Sequence, residues 1–427
     1  MKFTAAGDAL IQRRLVPYSG MDEIREFILR GDARFFNLET TLNRLGECYA
    51  SYFSGGTYLR CAPECLDDLL SLGFNMMSFN NNHTMDFSYE GMLKTLDYVN
   101  EKGIVQAGVG RSLAEASAPA YLDTEGGRVA LISVNTTFEA CMLAGDASRC
   151  FPARPGINGI RWRESLLVSG EDISVIEDIS DKTGVNEEMK MDIAQGYRPR
   201  LPDGVFDMGT VRFEASDSYG NAHRANEEDV ERVLKAIREA RENADYVLLS
   251  FHTHEMTGKT IENIPAFIKE LSHRFIDEGA HAVIGHGPHL LRAIEVYRDR
   301  PIFYSLGDFM LELYSVEEAP EDFYKRYGLT SEVGIYELLK KRSANFTRGL
   351  MEEKIMTEAI IPYWEMEDGR LTRLELLPIE CGKHSEKTTE GVPMVAKKPD
   401  FIAHLAEISA PFGVRMHIED GIVKCEW

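Results

Sequence analysis

The chain has 427 residues, of which 44% are apolar and 27% are charged, so it is long enough to bury a sizeable core. Its 69 Asp and Glu residues outnumber its 47 Lys and Arg residues, which gives a formal net charge of −22 at pH 7. This charge disfavours binding to nucleic acids and to anionic membranes. An anionic ligand would therefore need local positive charge, supplied by metal ions or by a few arginines.

The N-terminus and the cysteines bear on the cellular compartment. In the N-terminal sequence MKFTAAGDAL, the apolar run before Asp8 is too short for the apolar part of a secretory signal. No long apolar stretch follows. The seven cysteines lack the spacing of a zinc site and are predicted to be free thiols. These features predict a cytoplasmic protein without a membrane segment, and they leave its oligomeric state open.

Apolar strands alternate with amphipathic helices along much of the chain. Helices are predicted at 63–72, 89–102 and 265–278, each followed by a glycine, and a further helix begins after Asn226. Strands are predicted after these helices, at 74–79, 104–109, 281–286 and 246–251. Alternation of this kind is typical of an α/β fold.

Two regions depart from this alternation. Residues 139–225 are rich in Gly, Pro, Asp and Glu and are predicted to be an insertion, with a lid as a candidate role and a short helix as one reading of 166–178. Residues 356–380 predict two strands around the turn Asp368-Gly369. We therefore expect one main domain over 1–380 and a C-terminal segment, 381–427, that packs on it.

Five predicted strands end in side chains that can bind a metal ion. These ends carry Asp8, Glu39, the pair Asn82 and His83, His252, and His286. In an open α/β sheet, ligands bind beyond the carboxyl ends of the strands, so we expect these side chains to converge on one crevice. A single acid or histidine after a strand is usually a turn or surface residue, whereas five such ends favour a shared site.

The donors in this set are carboxylates, an amide and imidazoles, with no cysteine. Such donors suit Mn, Fe or Zn. They suffice for two divalent metal ions that share one carboxylate, and such a pair can activate a bridging water and stabilise the oxygens of a displacement at phosphorus or carbon. The sequence thus predicts two divalent metal ions as cofactors.

Longer motifs resemble the bacterial capsule-synthesis (CapA, poly-γ-glutamate capsule) proteins, which are similar to calcineurin-type metallophosphoesterases. The matching segments are GDALI (7–11), NLETTL (37–42), FNNNHTMDFSYEG (79–91), GIVQAGVGRSLAEASAP (103–119), SFHTHE (250–255) and IDEGAHAVIGHGPHLLRAIEVYRDRPIFYSLGDF (276–309). The resemblance implies a four-layer α/β/β/α sandwich of the metallophosphoesterase type, with an insertion and a C-terminal strand pair.

The resemblance also implies a role for each candidate residue. It assigns Asp8 and His289 to one metal ion, makes Glu39 the bridge, and assigns the remaining ligands to the other ion: Asn82, His252 and His286. His83 would face the substrate, as a general acid toward the leaving group or as a donor to developing negative charge, with Asp86 orienting its ring.

The sequence departs from the phosphoesterase pattern at several points. The segment Asp8-Ala9-Leu10 lacks the histidine of Asp-x-His, and Glu39 stands where phosphoesterases have Asp. His254 lies on the same side as His252 if the segment is extended, so it is either an extra ligand or a substrate contact, and we favour the substrate contact. Asp308 in YSLGDF either shapes the floor of the site or simply lies at a strand end.

An anionic substrate would also be bound by arginine, because a guanidinium can donate two parallel hydrogen bonds to a carboxylate or phosphate. The candidates are Arg60, Arg154 and Arg161. The alternative for each is an ordinary surface arginine.

Together these features predict a metal-dependent hydrolase in which a metal-activated hydroxide cleaves a phosphoester or a γ-glutamyl-type amide. The substrate would be a small anionic or polyglutamate-like molecule. The alternative is a non-catalytic component of polyglutamate-capsule biosynthesis that binds an anionic polymer.

Overall fold

The computed structural model describes residues 1–383 and 387–427 and has a mixed α/β fold. The strands are β1 Lys2–Leu10, β2 Ala33–Leu38, β3 Thr41–Leu42, β4 Arg60–Cys61, β5 Met76–Ser78, β6 Val105–Ala107, β7 Val109–Gly110, β8 Ala120–Thr124, β9 Gly127–Asn135, β10 Gly156–Ile157, β11 Trp162–Val168, β12 Val205–Met208, β13 Val211–Ala215, β14 Gly220–Ala225, β15 Tyr246–His252, β16 Ala282–His286, β17 Ile294–Tyr297, β18 Arg300–Phe303, β19 Asp308–Leu311, β20 Glu358–Glu367, β21 Arg370–Glu380, β22 Met394–Val395, β23 Arg415–Glu419 and β24 Ile422–Glu426.

Helices connect some of these strands. The α-helices are α1 Met21–Ile28, α2 Glu64–Ser71, α3 Ser88–Lys102, α4 Leu113–Ser117, α5 Gly170–Thr183, α6 Glu187–Gln195, α7 Glu227–Asn243, α8 Ala266–Glu278, α9 Glu321–Arg326, α10 Ile335–Arg342, α11 Lys354–Thr357 and α12 Phe401–Ser409. Short 3-10 helices cover Ala140–Met142, Leu313–Ser315, Ser331–Val333, Leu350–Glu352, Lys387–Thr389 and Ala410–Phe412. Among the described residues, no helix is both long and apolar enough to cross a bilayer.

Two large sheets organise the main compact unit, which comprises residues 1–160 and 230–427. The first has ten strands in the order β23-β24-β21-β20-β1-β2-β5-β6, with β19 also pairing β1 and β22 also pairing β21. The second has six strands in the order β17-β18-β16-β15-β9-β8. The central neighbours β1, β2, β5 and β6, and likewise β9, β15 and β16, are parallel, so their carboxyl ends lie at the same edge of each sheet.

The two sheets share one apolar core. Buried side chains of the ten-stranded sheet, such as Phe3 and Phe35, belong to the same cluster as Leu131, Leu248 and Ile284 of the six-stranded sheet. Full burial of each side chain of this size stabilises the fold by about 1.5–3 kcal/mol. The near-continuous apolar runs of these strands therefore have apolar partners on the inner faces of both sheets.

Helices cover the outer faces of the sheets. Ile24 of α1, Leu66 of α2 and Leu96 of α3 are buried in a second apolar cluster with residues of the ten-stranded sheet. On the six-stranded sheet, Phe275 of α8 packs edge-on against Phe251 of β15, with their ring centroids 5.6 Å apart. The amphipathic pattern of each helix in the sequence thus corresponds to a buried stripe.

The inserted region differs from its predicted boundaries. Residues 161–229 form a separate compact unit, whereas 139–160 belong to the main unit. The inserted unit has a four-stranded sheet in the order β12-β13-β11-β14 and the helices α5 and α6. Residues 162–168 form a strand, and α5 begins only at Gly170, after Ser169 accepts a hydrogen bond from the Asp172 N–H as the helix cap. The candidate role as a lid stays a prediction.

The C-terminal part extends the ten-stranded sheet. Strands β20 and β21 form the antiparallel hairpin expected around Asp368-Gly369, where both residues have positive φ, 49° and 75°. Strand β20 pairs with β1, and the later residues Phe401, Leu405 and Val423 are buried in the core between the two sheets.

Candidate metal centre

The carboxyl ends of the parallel strands bring most of the predicted ligands together. Glu39 directly follows β2, and His252 and His286 are register partners at the ends of β15 and β16. Asp8, near the end of β1, is the register partner of Asp308 on β19. Residues far apart in the chain thus meet at one edge because parallel strands end together.

Seven acidic and histidine side chains form what we call the acid–histidine centre: Asp8, Glu39, His252, His254, His286, His289 and Asp308. They form three overlapping groups, within each of which the ligand atoms lie within 4.8 Å of one another. The groups are Asp8 with His252 and His286; Glu39 with His254 and His289; and Asp8 with Glu39, His289 and Asp308. These buried groups could hold metal ions.

The surroundings of the Glu39 carboxylate indicate whether the acid–histidine centre suits a bound cation. Its side chain is 0% exposed, and no group among the described residues donates a hydrogen bond to either of its oxygens. Burial, followed by the charges of Asp8 and Asp308, raises the pKa of Glu39 well above its usual value. Since an uncompensated buried carboxylate costs several kcal/mol, this side chain fits a bound divalent cation that neutralises it.

The histidines of the centre are suited to donate lone pairs. Burial, together with neighbouring histidines, lowers the pKa of His252 and of His254 well below the usual value, so both rings are neutral at pH 7. For His289 burial acts in the same direction, but the Asp308 carboxylate, 2.9 Å from Nδ1, outweighs it and raises the pKa. The Nε2 atom of His289 lies 4.0 Å from Glu39 Oε1.

Asn82 points its amide oxygen at the centre. Its Nδ2 donates to the Gly55 carbonyl at 3.2 Å, and its Oδ1 lies 2.9 Å from His252 Nε2. The Gly55 contact therefore fixes the amide with the acceptor atom, the one that can bind a metal ion, facing inward.

His83 and Asp86 form a hydrogen-bonded pair beside the centre. The His83 Nδ1 lies 2.7 Å from Asp86 Oδ2, and its Nε2 lies 3.9 Å from Glu39 Oε1. The backbone N–H groups of Gly55 and Leu59 donate to the two Asp86 oxygens at 3.0 and 2.8 Å. Asp86 is thereby held as an acceptor, so His83 donates from Nδ1 and turns its Nε2 toward the centre.

Asp8 is oriented by donors on both sides. Asn37 Nδ2 donates to Oδ1 at 2.7 Å, and the Gly287 backbone N–H donates to Oδ2 at 2.7 Å. Gly287 has φ +116°, and a Cβ there would lie 2.7 Å from the Thr253 carbonyl oxygen, so only glycine fits. The loop that carries His286 and His289 therefore depends on this glycine to approach Asp8.

The structure groups the predicted ligands differently from the assignment that the resemblance implies. Asp8 is grouped with His252 and His286 as well as with His289, and Asp308 joins the group that contains Glu39. The ligand roles of Asp8, Glu39, Asn82, His252, His286 and His289 stay predictions, as do the catalytic roles of His83 and Asp86.

His254 was expected to contact substrate rather than metal. Its Nε2 lies 3.0 Å from His252 Nε2 and 4.0 Å from Glu39 Oε1. It also belongs to one of the three groups that could hold a metal ion. The geometry therefore makes a ligand role as accessible to His254 as a substrate role.

The three predicted arginines are engaged elsewhere. Arg60 is 8% exposed, donates to the Asn43 carbonyl and forms an ion pair with Glu317. Arg154 is exposed and donates to the Leu143 carbonyl at 2.9 Å. Arg161 lies in the inserted unit and forms an ion pair with Asp229. Each arginine therefore has a partner within its own compact unit, and the substrate contacts of all three stay predictions.

Two residues around the centre, Asn37 and Arg292, were not predicted from the sequence, and a third, Asp308, was left between a site role and a strand end. Asn37 precedes Glu39 by two positions and so shares its face of β2, a signal that the alternation of a strand offers. Arg292 is 0% exposed and donates to the carbonyls of Glu255 and Ile261, which fixes the loop after His254; no motif marked it.

Comparisons with known proteins agree with these motifs. The profile of the family described as bacterial capsule synthesis protein PGA_cap matches residues 2–312, a range that contains the whole acid–histidine centre. The Sinorhizobium fredii protein named "Uncharacterized protein y4sH" is 34% identical over 440 residues, which cover 98% of this chain and 91% of that protein.

Two relatives with descriptive names match over shorter stretches. The PGA biosynthesis protein CapA of Bacillus subtilis is 29% identical over 154 residues, or 34% of this chain and 40% of that protein. A probable polyglutamine synthesis accessory protein of Mycobacterium tuberculosis is 26% identical over 285 residues, or 65% of this chain and 55% of that protein. Because the family profile covers well over half of the chain, the protein belongs to the bacterial capsule synthesis protein (PGA_cap) family.

Proposed function

We propose that the protein is a metal-dependent hydrolase whose acid–histidine centre holds two divalent metal ions, Mn, Fe or Zn. The observation that carries the proposal is the fully buried Glu39 carboxylate, whose oxygens receive no hydrogen bond from the described residues. A structural role would require donors for those oxygens, since buried carboxylates are paired in stable folds. A site for cations explains the missing donors.

The proposed fold is the four-layer α/β/β/α sandwich of metallophosphoesterases. The apolar core shared by the two large sheets supports it, as do the helices on the outer face of each sheet. In this fold the ligands come from the carboxyl ends of strands in both sheets, which is the origin of Asp8, Glu39, His252 and His286 here.

The ligands would be the seven residues of the acid–histidine centre and the inward-facing oxygen of Asn82. Bound divalent ions would acidify a water molecule and stabilise negative charge on the oxygens of the substrate. Asp8 is held in place for this role by Asn37 and the Gly287 N–H. His286 is held by Ser250 Oγ, 2.8 Å from its Nε2.

His83 supplies the proton in this proposal. With Nδ1 hydrogen-bonded to Asp86, its Nε2 is the atom directed at the centre, where it donates a proton to the leaving group or a hydrogen bond to developing charge. Asp86 orients the ring, and the two backbone donors to Asp86 keep the pair aligned.

The proposed substrate is anionic, either a phosphoester or a γ-glutamyl-type amide. The Bacillus subtilis relative is named for PGA biosynthesis, which supports an acidic polymer or one of its fragments as the substrate. The second candidate is a non-catalytic component that binds such a polymer, and the word "accessory" in the name of the Mycobacterium tuberculosis relative favours it.

The test combines metal analysis with a His83→Ala variant. The purified protein, loaded with Mn, Zn or Fe, is assayed for metal content and against phosphomonoesters, phosphodiesters and γ-glutamyl amides. We expect about two ions per chain. We expect His83→Ala to keep this content while turnover falls about 10²- to 10⁴-fold, because a proton donor is lost and no ligand is.

The matched control is His404→Ala, since His404 is a half-exposed histidine paired with Glu262 and belongs to no group of the centre. It should match the wild type in metal content and turnover. Fewer than about 0.3 ions per chain after loading would remove the proposed two-ion centre. Full metal content without turnover on any substrate would leave the binding component as the function.

A further inference from the structure

The inserted unit carries four arginines on one face of its sheet, here called the arginine face: Arg161, Arg163, Arg212 and Arg224. Side chains alternate between the two faces of a strand. Arg161 directly precedes β11 and Arg163 lies in it, so the two side chains share one face. Together with Trp162, Ser165, Glu214, Ala225 and Asn226, the four arginines line a cavity of about 560 Å³. In a chain with a net charge of −22, such a cluster is exceptional.

The register places two of these arginines directly opposite each other. Arg163 of β11 is the antiparallel partner of Arg224 on β14. Like charges in this position destabilise a sheet, and other pairs in the same ladder, such as Ser165 with Ala222, avoid the conflict. An anion bound between the two guanidinium groups would remove the repulsion.

Buried carboxylates orient two of the arginines, Arg161 and Arg212. Asp229 holds Arg161, and Asp207 holds Arg212 through both Nε and Nη2 at 2.7 and 2.9 Å. The Asp229 side chain is 5% exposed, whereas that of Arg161 is 51% exposed. The buried acids therefore fix the direction of these two guanidinium groups, and the half-exposed Arg161 remains accessible to an anion.

The other two arginines are the most accessible. Arg224 forms an ion pair with Glu214, yet its side chain remains 60% exposed. Arg163 is exposed; its charge acts on Asp207, but no hydrogen bond or ion pair holds its guanidinium in residues 1–383 and 387–427. The face thus offers one guanidinium free for a ligand beside three that are oriented in advance.

We propose that the arginine face binds a chain of closely spaced carboxylates, a polyglutamate-like acidic polymer. Guanidinium forks match carboxylates in shape, and a row of them at strand spacing suits successive acidic groups of one flexible chain. The net charge of −22 repels polyanions from the rest of the surface, so binding is local to this face. The identity of the polymer rests on the proposed function; the site itself rests on the geometry of the inserted unit.

The test is direct binding of fluorescently labelled poly-γ-glutamate, followed by anisotropy at low salt, with the full-length protein both metal-loaded and treated with EDTA. We expect Arg163→Gln to weaken binding about 3- to 10-fold, and the double variant Arg163→Gln/Arg224→Gln to weaken it more than about 10-fold. Binding should be the same with and without metal. Because the Arg163 side chain is exposed, its single variant should fold normally, which circular dichroism checks.

The matched control is Arg200→Gln, because Arg200 is an exposed arginine of the same unit that does not line the cavity. It should bind the polymer as the wild type does. The proposal is overturned if the wild type does not bind, if Arg200→Gln weakens binding as much as Arg163→Gln, or if single-stranded DNA of equal charge competes equally well. Because the binding assay needs neither turnover nor metal, its result can be interpreted even if the hydrolase proposal fails.

Discussion

The acid–histidine centre and the arginine face use buried carboxylates in opposite ways. At the centre, Glu39 and the Oδ2 atom of Asp308 are buried without a hydrogen-bond donor among the described residues. Beneath the arginine face, Asp207 and Asp229 are also buried, but arginine neighbours pair with both. The same residue type thus marks two different sites, according to whether the protein supplies the counter-charge itself.

This difference separates sites that need an external cation from those that attract an external anion. A buried acid without a partner must be neutralised, either by a proton or by a cation from solution. An acid that is paired with arginine needs no such ion, and it holds the guanidinium so that its remaining donors meet an anion. The presence or absence of an arginine partner for each buried carboxylate therefore indicates whether the ligand is an anion or a cation.

The largest effect is expected at Glu39. Glu39→Gln removes a buried charge that repels Asp8 and Asp308, so the metal-free protein should gain about 1–3 kcal/mol of unfolding free energy. The same change should weaken binding of Mn or Zn by at least about 100-fold, because a carboxylate ligand is lost. Urea unfolding in EDTA and calorimetric metal titration measure the two effects.

Glu270→Gln, which changes an exposed acid of α8, serves as the control and should alter neither quantity. A Glu39→Gln variant that loses stability without metal and retains its metal affinity would contradict the contrast between the two regions. In that case Glu39 would be a structural acid like those of the inserted unit.

An effect on stability of similar size but opposite sign is expected at Asp207. Asp207→Asn leaves Arg212, whose side chain is 16% exposed, and Arg198 without their counter-charge. We expect the inserted unit to lose about 1–3 kcal/mol, measured as faster hydrogen exchange in peptides from 161–229. Asp203→Asn, at an exposed position of the same unit, should cause no change. Equal protection from hydrogen exchange in the Asp207→Asn and Asp203→Asn variants would show that the ion pairs of Asp207 do not stabilise the inserted unit.

The smallest effect concerns His281, a buried histidine outside both regions. Burial, then the charges of Arg300 and Arg241, lowers its pKa from 6.5 to about 3, and its Nδ1 accepts from the Val247 N–H while Tyr246 packs on its ring. Below pH 6.5 the unfolded chain binds a proton that the folded protein does not, so stability is complete above 6.5 and falls as the pH drops toward 3.

We expect this group to contribute about 1 kcal/mol per pH unit in that window. His281→Asn keeps the acceptor for Val247 but cannot titrate. In EDTA, the loss of unfolding free energy between about pH 7 and about pH 5.5 should therefore be smaller in the variant by about 1 kcal/mol. Identical pH dependence in the two proteins would mean that His281 is protonated in the folded state.

Much of the local structure was predictable from the sequence. The helix expected at 63–72 is α2, Glu64–Ser71, and the hairpin expected at Asp368-Gly369 is β20 and β21. The rule that ligands gather at the carboxyl ends of parallel strands predicted that Asp8, Glu39, His252 and His286 converge, because each lies at or just beyond a strand end.

Other features were not predictable, because they depend on register and on packing between distant segments. Asp308 joins the centre only because β19 pairs with β1 across about 300 residues, with Asp308 opposite Asp8. The strand Trp162–Val168 was open to a helical reading in part, because its apolar residues do not alternate cleanly. Arg161 was a candidate for the substrate site, and its Asp229 partner became visible only in the folded unit.

The sequence by itself determined the α/β class and the kinds of donor available, because these follow from local apolar periodicity and from the residues at strand ends. The family was indicated by the resemblance of its longer motifs. The tertiary structure decided which donors share a centre, which carboxylates lack a partner and which arginines line up on one face. The physical reason is that pairing and burial set the energy of a charge, and both depend on residues that only the folded chain brings into contact.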